Sequence, residues 1–143
     1  MTRASIANNT DHRFAFVEAD HSYWLDGQRI PSITQLIERG GLLTGDPFYT
    51  EKSRERGTEV HTLCTAFDLG ALAKANCESP YGGYVLGYIA ACASLKPTWD
   101  RIEEAEVDPI LKFGGRPDRT GQCVKRATVA EIKTAVKAPH HAV

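Results

Sequence analysis

The chain has 143 residues, of which 42% are hydrophobic and 24% are charged, and its formal net charge at pH 7 is −1. This composition excludes a disordered or fibrous chain, and the length fits one domain that spans residues 1–143. No apolar run reaches the roughly 20 residues of a membrane span, and the N-terminus lacks the apolar stretch of a signal peptide. We therefore expect a soluble, cytoplasmic protein.

Basic residues are concentrated in the last part of the chain. Residues 112–143 contain seven Lys and Arg but only two acidic residues, Asp118 and Glu131. Such a segment could attract a polyanion such as a nucleic acid and hold a cation between its two carboxylates, or it could be an ordinary solvated face. Charge alone does not separate these two interpretations.

The four cysteines are spread along the chain without a CxxC pair. Clustered cysteines are the usual signature of a zinc ribbon or an iron–sulfur site. We therefore expect free thiols in a reducing compartment and no iron–sulfur cluster.

The first third of the chain predicts two short strands, a third extended piece and a helix. Residues 13–26 alternate aromatic or β-branched residues with polar ones around a turn at residues 19–21, and Asp26-Gly27 marks a second turn before an extended piece up to Pro31. Ser32 and Gln35 have the spacing of a capping box, followed by the apolar stripe of Ile33, Leu36 and Ile37, and Gly40-Gly41 ends the helix.

Two longer helices are predicted in the middle of the chain. The first begins near residues 47–50 and runs to Asp68, with Val60, Leu63, Cys64 and Phe67 on its buried face. The second covers residues 80–95, where tyrosines and aliphatic residues recur at helical spacing. We interpret this tyrosine stripe as core packing, in preference to base stacking.

After Pro97 the pattern changes to the alternation of strands. Residues 101–112, 115–124 and 127–134 predict three strands, with turns at residues 113–115 and 125–126. The whole order predicts a mixed α/β or α+β domain, in which helices flank one central mixed β-sheet.

The segment with the most chemical information contains Pro117-Asp118 and, twelve residues later, Glu131-Ile132-Lys133. On a strand, Glu131 and Lys133 point to one side and Ile132 to the other, and pairing of the last two strands can bring Asp118 beside them. Two carboxylates suit Mg²⁺ or Mn²⁺, and a lysine can position water or stabilise charge on a phosphate. The alternative is a surface ion pair of Glu131 with Lys133 or an arginine.

This segment resembles the signature of the PD-(D/E)XK nuclease superfamily. Residues 56–61 (RGTEVH) are similar to the RGxxxH helix of its RecB-like and phage-exonuclease branch, and residues 21–27 with 30–34 are similar to the N-terminal hairpin and helix start of phage-encoded members. The resemblance implies a restriction-endonuclease-like core and metal-dependent hydrolysis of DNA phosphodiester bonds. We expect an exonuclease of the phage recombination or repair type, because no sequence-reading element is evident.

The resemblance implies a role for each matching residue. Asp118, Glu131 and Lys133 would be catalytic, with His61, Asp118 and Glu131 as metal ligands. Glu106 would be a further ligand, although its neighbour Glu104 is an alternative. From the residues alone, a half-buried histidine on the border of the apolar face is the favoured interpretation of His61, and the resemblance reverses this preference. One or two Mg²⁺ or Mn²⁺ ions fit this implied set.

Four arginines are candidates for contacts with DNA phosphates: Arg54, Arg56, Arg116 and Arg119. Arg54 and Arg56 could instead simply solvate the start of their helix. DNA is therefore the expected partner. A second copy of the chain or a recombination protein is a further candidate partner, because exonucleases of this kind often act as rings or within complexes.

The resemblance weakens at the C-terminus. RecB-like nucleases continue after the ExK strand into a helix with a QxxxY motif, and here residues 138–143 have only the opening of such a helix, with Pro139 at a favourable first-turn position. His140 and His141 are interpreted as a solvated terminus. The alternative function, from a different class, is a non-catalytic nucleic-acid-binding or assembly module that retains the nuclease fold.

Overall fold

The computed structural model describes residues 12–42, 50–72 and 78–134. The helices and strands in these ranges, in chain order, are β1 (Phe14–Val17), β2 (Ser22–Leu25), β3 (Gln28–Ile30), α1 (Ile33–Arg39), α2 (Glu51–Asp68), α3 (Gly82–Leu95), β4 (Thr98–Ile102), β5 (Glu106–Asp108), β6 (Phe113–Gly115), β7 (Arg119–Cys123) and β8 (Arg126–Ala130). The chain is therefore mixed α/β with small antiparallel sheets, which agrees with the predicted α+β class.

The chain forms two compact units. Unit 1 comprises Met1–Gly45 and Glu103–Pro117, and unit 2 comprises Asp46–Ile102 and Asp118–Val143. The described strands form the sheets β1-β2-β3, β4-β7-β8 and β5-β6, where the sequence predicted one central mixed sheet. The predicted start of the second helix at residues 47–49 and the segment 138–143 lie outside the described residues.

Unit 1 is organised around the first antiparallel sheet. Tyr23, Leu25 and Ile30 form its buried core, and partly buried apolar side chains pack against them, namely Phe14, Phe16, Ala105 and Val107. The capping box predicted for α1 is confirmed. The Ser32 hydroxyl accepts a hydrogen bond from the backbone N–H of Gln35 at 3.1 Å, and the side-chain oxygen of Gln35 accepts one from the backbone N–H of Ser32 at 3.0 Å. Reciprocal bonds of this kind satisfy two amides that would otherwise lack a partner at the helix start.

The hairpin of β5 and β6 differs from the prediction of one long strand over residues 101–112. The chain turns after Asp108, whose Oδ1 accepts hydrogen bonds from the amides of Ile110 and Leu111 at 2.9 and 2.8 Å. Residues 113–115, predicted as a turn, instead form β6 and pair with β5. The Asp108-Pro109 pair is a turn signal that explains the difference, because the aspartate side chain replaces the ladder bonds of a continuing strand.

Unit 2 combines the two long helices with the sheet β4-β7-β8, in which β7 is the central strand. Val60, Cys64 and Val85 are fully buried at the helices, which confirms part of the predicted buried face of α2. β7 and β8 are joined by a two-residue turn at Val124 and Lys125, both with positive φ. Such a turn matches the twist of an antiparallel pair, and it lies one residue before the predicted position.

No helix among the described residues combines the length and the apolar composition that a membrane crossing requires.

Candidate metal site

One face of α2 carries polar residues that contact the start of β7 and the residue before it. His61, Thr65 and Asp68 follow one another at spacings of four and three residues, so they lie along the same side of the helix. His61 faces Asp118, while Thr65 and Asp68 contact Arg119. The periodicity of the helix thus places a histidine opposite the aspartate that directly precedes β7.

The backbone of Ile132 holds both members of the His61–Asp118 pair. Its amide donates to Asp118 Oδ2 at 2.6 Å, and its carbonyl oxygen lies 3.0 Å from His61 Nε2. The remaining two atoms, His61 Nδ1 and Asp118 Oδ1, face each other at 3.6 Å. The side chains are 27% and 14% exposed, so the pair is sheltered and still reachable from solvent.

The Ile132 carbonyl group determines the hydrogen-bonding role of one histidine nitrogen, Nε2. A carbonyl oxygen only accepts, so His61 Nε2 carries a proton and donates a hydrogen bond to the carbonyl oxygen of Ile132. In the neutral imidazole, Nδ1 then presents a lone pair towards the carboxylate oxygen of Asp118, which also only accepts. A separation of 3.6 Å is longer than a normal hydrogen bond, and two facing acceptors are stabilised by a cation between them.

There is open space on α2 one turn before His61. A side chain added at Gly57 would meet no atom within 4 Å, so the glycine leaves this part of the helix surface uncovered. Because positions four apart are neighbours on one helix face, the open space at Gly57 adjoins His61.

Glu131 and Lys133 lie outside the sheet, since β8 ends at Ala130. Lys133 Nζ is 3.3 Å from Glu131 Oε2, and the two side chains are 61% and 48% exposed. Among the described residues, the ligand atoms of His61 and Asp118 lie within 4.8 Å of each other. The Glu131 carboxylate does not belong to this group. The two residues therefore lie beyond the strand on which a shared side was predicted, and they form a surface ion pair with each other, which was the alternative interpretation of this segment.

Glu106 belongs to unit 1, where it lies on β5 opposite Gly115 and is partly buried. Glu104, the alternative ligand, is exposed in the segment before β5. A ligand role for Glu106 or Glu104 stays a prediction.

All four arginines predicted to contact DNA have local partners. Arg54 Nη2 lies 2.6 Å from Glu51 Oε1 at the exposed start of α2. The Arg56 guanidinium lies 5.8 Å from the centre of the Tyr84 ring, which is a cation–π distance. In unit 1, Arg116 Nε donates to the carbonyl oxygen of Glu103 at 2.8 Å. For these three arginines, contact with DNA stays a prediction.

Arg119 corrects the sequence interpretation, which placed it on the DNA-binding surface. Its side chain is 0% exposed, and its Nε atom donates to Asp68 Oδ2 at 2.6 Å. The side chain points into unit 2, and its guanidinium carbon lies 5.8 Å from the centre of the Tyr88 ring. A guanidinium buried against a carboxylate is not available to a phosphate, so Arg119 is a structural residue.

Sequence reasoning missed the backbone of Ile132 and the side chain of Asp68. The pattern only placed the Ile132 side chain on the opposite side from Glu131 and Lys133, since main-chain groups leave no trace in residue identity. Asp68 carried a weak signal: it is a charged residue seven positions after His61, which places it two turns further along the same helix face.

The chain matches no protein-family model, no curated protein and no solved structure.

Proposed function

We propose that this protein is a metal-dependent nuclease that hydrolyses DNA phosphodiester bonds, with a restriction-endonuclease-like core of the PD-(D/E)XK type. The observation that carries the proposal is the pair of facing ligand atoms, His61 Nδ1 and Asp118 Oδ1, held 3.6 Å apart by the backbone of one residue, Ile132. The resemblance of residues 117–133 to the superfamily signature supplies the reaction class.

The donor set fits Mg²⁺ or Mn²⁺. One imidazole nitrogen and one carboxylate oxygen are ligands that these ions accept, with Mn²⁺ the better match for nitrogen. Two atoms each about 2.1 Å from one ion lie roughly 3.0–3.6 Å apart, depending on the angle between them, and the observed separation falls in this range. A bound ion would polarise a phosphoryl oxygen and lower the pKa of a water molecule on it.

The Ile132 backbone gives the site its rigidity. It fixes the tautomer of His61 through the Nε2 hydrogen bond, and it fixes the carboxylate of Asp118 through the Oδ2 hydrogen bond. A histidine ligand whose second nitrogen donates to a carbonyl group keeps its ring orientation, as is typical of metal-binding histidines.

Glu131 and Lys133 complete the proposed machinery from the exposed side. Their ion pair is solvent-exposed, so its exchange for other partners costs little free energy. Glu131 can therefore turn to the site as a third ligand. Lys133 then orients the attacking water or stabilises the charge that develops on the phosphate.

DNA is the proposed substrate, and the protein acts in the cytoplasm as an exonuclease of the recombination or repair type. Arg54, Arg56 and Arg116 are the proposed phosphate contacts, because guanidinium groups bind phosphate oxygens through paired hydrogen bonds. Glu106 is proposed as a further ligand. A second copy of the chain or a recombination protein is the proposed partner in processive digestion.

The test is digestion of end-labelled linear and closed-circular DNA in Mg²⁺, Mn²⁺ or EDTA. We expect linear DNA to be lost only with metal, and circular DNA to survive. Asp118→Asn, His61→Gln and Lys133→Met should each lower the rate about 100-fold or more. His12→Gln is the matched control, because His12 also lies beside a carboxylate, that of Asp26, but on the exposed surface of unit 1. It should digest DNA at the wild-type rate.

The second candidate function is a non-catalytic nucleic-acid-binding or assembly module. The observation that favours it is the Glu131 carboxylate, which is paired with Lys133 instead of grouped with His61 and Asp118. Absence of cleavage in either metal, with DNA binding that depends on low salt and not on metal, would support this module and refute the nuclease.

A further inference from the structure

Arg119 links the strand next to the proposed site to α2. The residue directly follows Asp118 and is the first residue of the central strand β7. Its Nη1 atom donates to the carbonyl oxygen of Asp118 at 2.7 Å, and its Nη2 atom donates to Thr65 Oγ1 at 3.2 Å. One guanidinium therefore binds both the peptide that carries Asp118 and the helix that carries His61.

Asp68 completes this connection on the helix side. Its Oδ2 atom accepts from Arg119 Nε at 2.6 Å and from the Tyr88 hydroxyl at 2.8 Å. The Arg119 and Asp68 side chains are 0% and 4% exposed, so the pair is removed from water. Thr65 and Asp68 lie one and two turns after His61 on the same face of α2, so their bonds to Arg119 set the rotation and the height of that face.

We propose that the Arg119–Asp68 ion pair is a positioning pair, which keeps His61 Nδ1 opposite Asp118 Oδ1. This inference rests on the proposed function, since it concerns the same site. It goes further because it assigns a role to two residues that contact neither metal nor substrate. It also gives Arg119 a function after its exclusion from the DNA-binding surface.

The free energy of a buried ion pair supports positioning over simple stabilisation. Two buried charges lose their hydration, and well-packed apolar residues of similar volume often stabilise a core equally well or better. Apolar contacts, unlike hydrogen bonds, do not fix the relative orientation of the groups that they join. The planar guanidinium binds three acceptors at defined angles, two on α2 and one in the residue before β7, and these angles determine how α2 meets the start of β7.

The experiment compares Arg119→Lys, Thr65→Val and a stability control, Val85→Ala. Val85 is buried on α3 and belongs to neither the ion pair nor the proposed site. A lysine keeps the charge near Asp68, but its single ammonium group cannot span all three acceptors. Thr65→Val removes one acceptor with little change in shape, so it tests the proposal even if Arg119→Lys does not fold. Unfolding curves identify a temperature at which each variant is fully folded, and all further measurements are made there.

The first measurement is Mn²⁺ affinity, from the electron paramagnetic resonance signal of the free ion. We expect Arg119→Lys to bind Mn²⁺ about tenfold more weakly than the wild type, in the range seen when residues behind a metal ligand are changed. Thr65→Val should show a smaller loss in the same direction, and Val85→Ala should bind as the wild type does. Wild-type affinity in both Arg119→Lys and Thr65→Val would overturn the proposal.

The second measurement is made without metal, on the ¹⁵N signals of the His61 ring. The wild type should show one tautomer, with the proton on Nε2, and Arg119→Lys should show a mixture of both. Unchanged ring signals in Arg119→Lys would overturn the positioning role. A wild-type protein that binds no Mn²⁺ would overturn the proposed function and the metal-site role of the pair together, whereas the metal-free signals report on the positioning alone.

Discussion

The Ile132 amide donates a 2.6 Å hydrogen bond to Asp118 Oδ2, across 14 positions of sequence. The bond leaves the second oxygen of Asp118 aimed at His61 Nδ1. When His61 is neutral, this carboxylate oxygen faces the Nδ1 lone pair, which is a poor arrangement for the stability of the folded protein alone. Sites that bind cations often keep such an arrangement at the expense of stability, because the bound ion reverses the balance.

With His61 neutral, substitution of Asp118 by asparagine should therefore stabilise the protein while it removes metal binding. The amide oxygen can accept from the Ile132 amide, and the amide nitrogen can donate to His61 Nδ1, so a facing pair of acceptors becomes a hydrogen bond. We expect the free energy of unfolding to rise by about 0.5–1 kcal/mol in metal-free buffer. Urea unfolding of wild type and Asp118→Asn measures the change.

Asp118→Leu is the matched control for this prediction. Leucine has a similar volume but leaves the Ile132 amide without its acceptor, so the free energy of unfolding should fall by about 1–3 kcal/mol. If Asp118→Asn lost as much stability as Asp118→Leu, the interpretation that His61 Nδ1 and Asp118 Oδ1 are two facing acceptors would be wrong.

Two glycines should respond in opposite directions to substitution by alanine. A side chain at Gly114 would clash with the ring of Tyr23 in the core of unit 1, and over-filling a packed core costs about 1–3 kcal/mol. At Gly57, in α2, it would meet nothing, and alanine is a better helix former than glycine by about 1 kcal/mol. Gly114→Ala should therefore destabilise the protein, and Gly57→Ala should stabilise it by up to about 1 kcal/mol.

Thermal and urea unfolding measure both variants against the wild type. A stable Gly114→Ala protein would show that β6 does not pack on Tyr23 as described. A destabilised Gly57→Ala protein would show that the helix surface before His61 is covered.

Stability should decline at alkaline pH in a way that depends on Tyr88. Burial and the hydrogen bond to Asp68 raise the pKa of the Tyr88 hydroxyl above its ordinary value of 10.0. Above pH 10, the unfolded chain therefore releases this proton while the folded protein retains it. The free energy of unfolding then falls as pH rises, by at most about 1.4 kcal/mol per pH unit for one proton.

Urea unfolding of wild type and Tyr88→Phe between pH 8 and 11.5 tests this prediction. The variant should be less stable at pH 8, because Asp68 loses a donor, but its stability should fall less steeply above pH 10. Burial also raises the pKa of Tyr23, which is present in both proteins, so its contribution cancels in the comparison. Parallel curves for the two proteins would refute a buried, proton-linked Tyr88.

Local signals in the sequence predicted much of the secondary structure. The Ser32–Gln35 capping box, the end of α1 at Gly40 and the end of α3 at Leu95 are encoded within a few neighbouring residues, and the structure confirms them. The strands after Pro97 were predicted less well. Their alternation resembles one strand over residues 101–112, but Asp108 forms a turn there by capping the amides of residues 110 and 111.

The sequence by itself determined the residue types of the candidate site and the helix face on which His61 lies, because helical periodicity and short motifs act over a few positions. Only the tertiary structure decided which of these residues meet. His61 and Ile132 are 71 positions apart, and their hydrogen bond follows from the packing of α2 on the segment after β8. Arg119 was an exposed cation by residue type, and burial against Asp68 made it a structural one. Long-range contacts between main-chain groups and buried charges depend on the fold, because no local pattern specifies them.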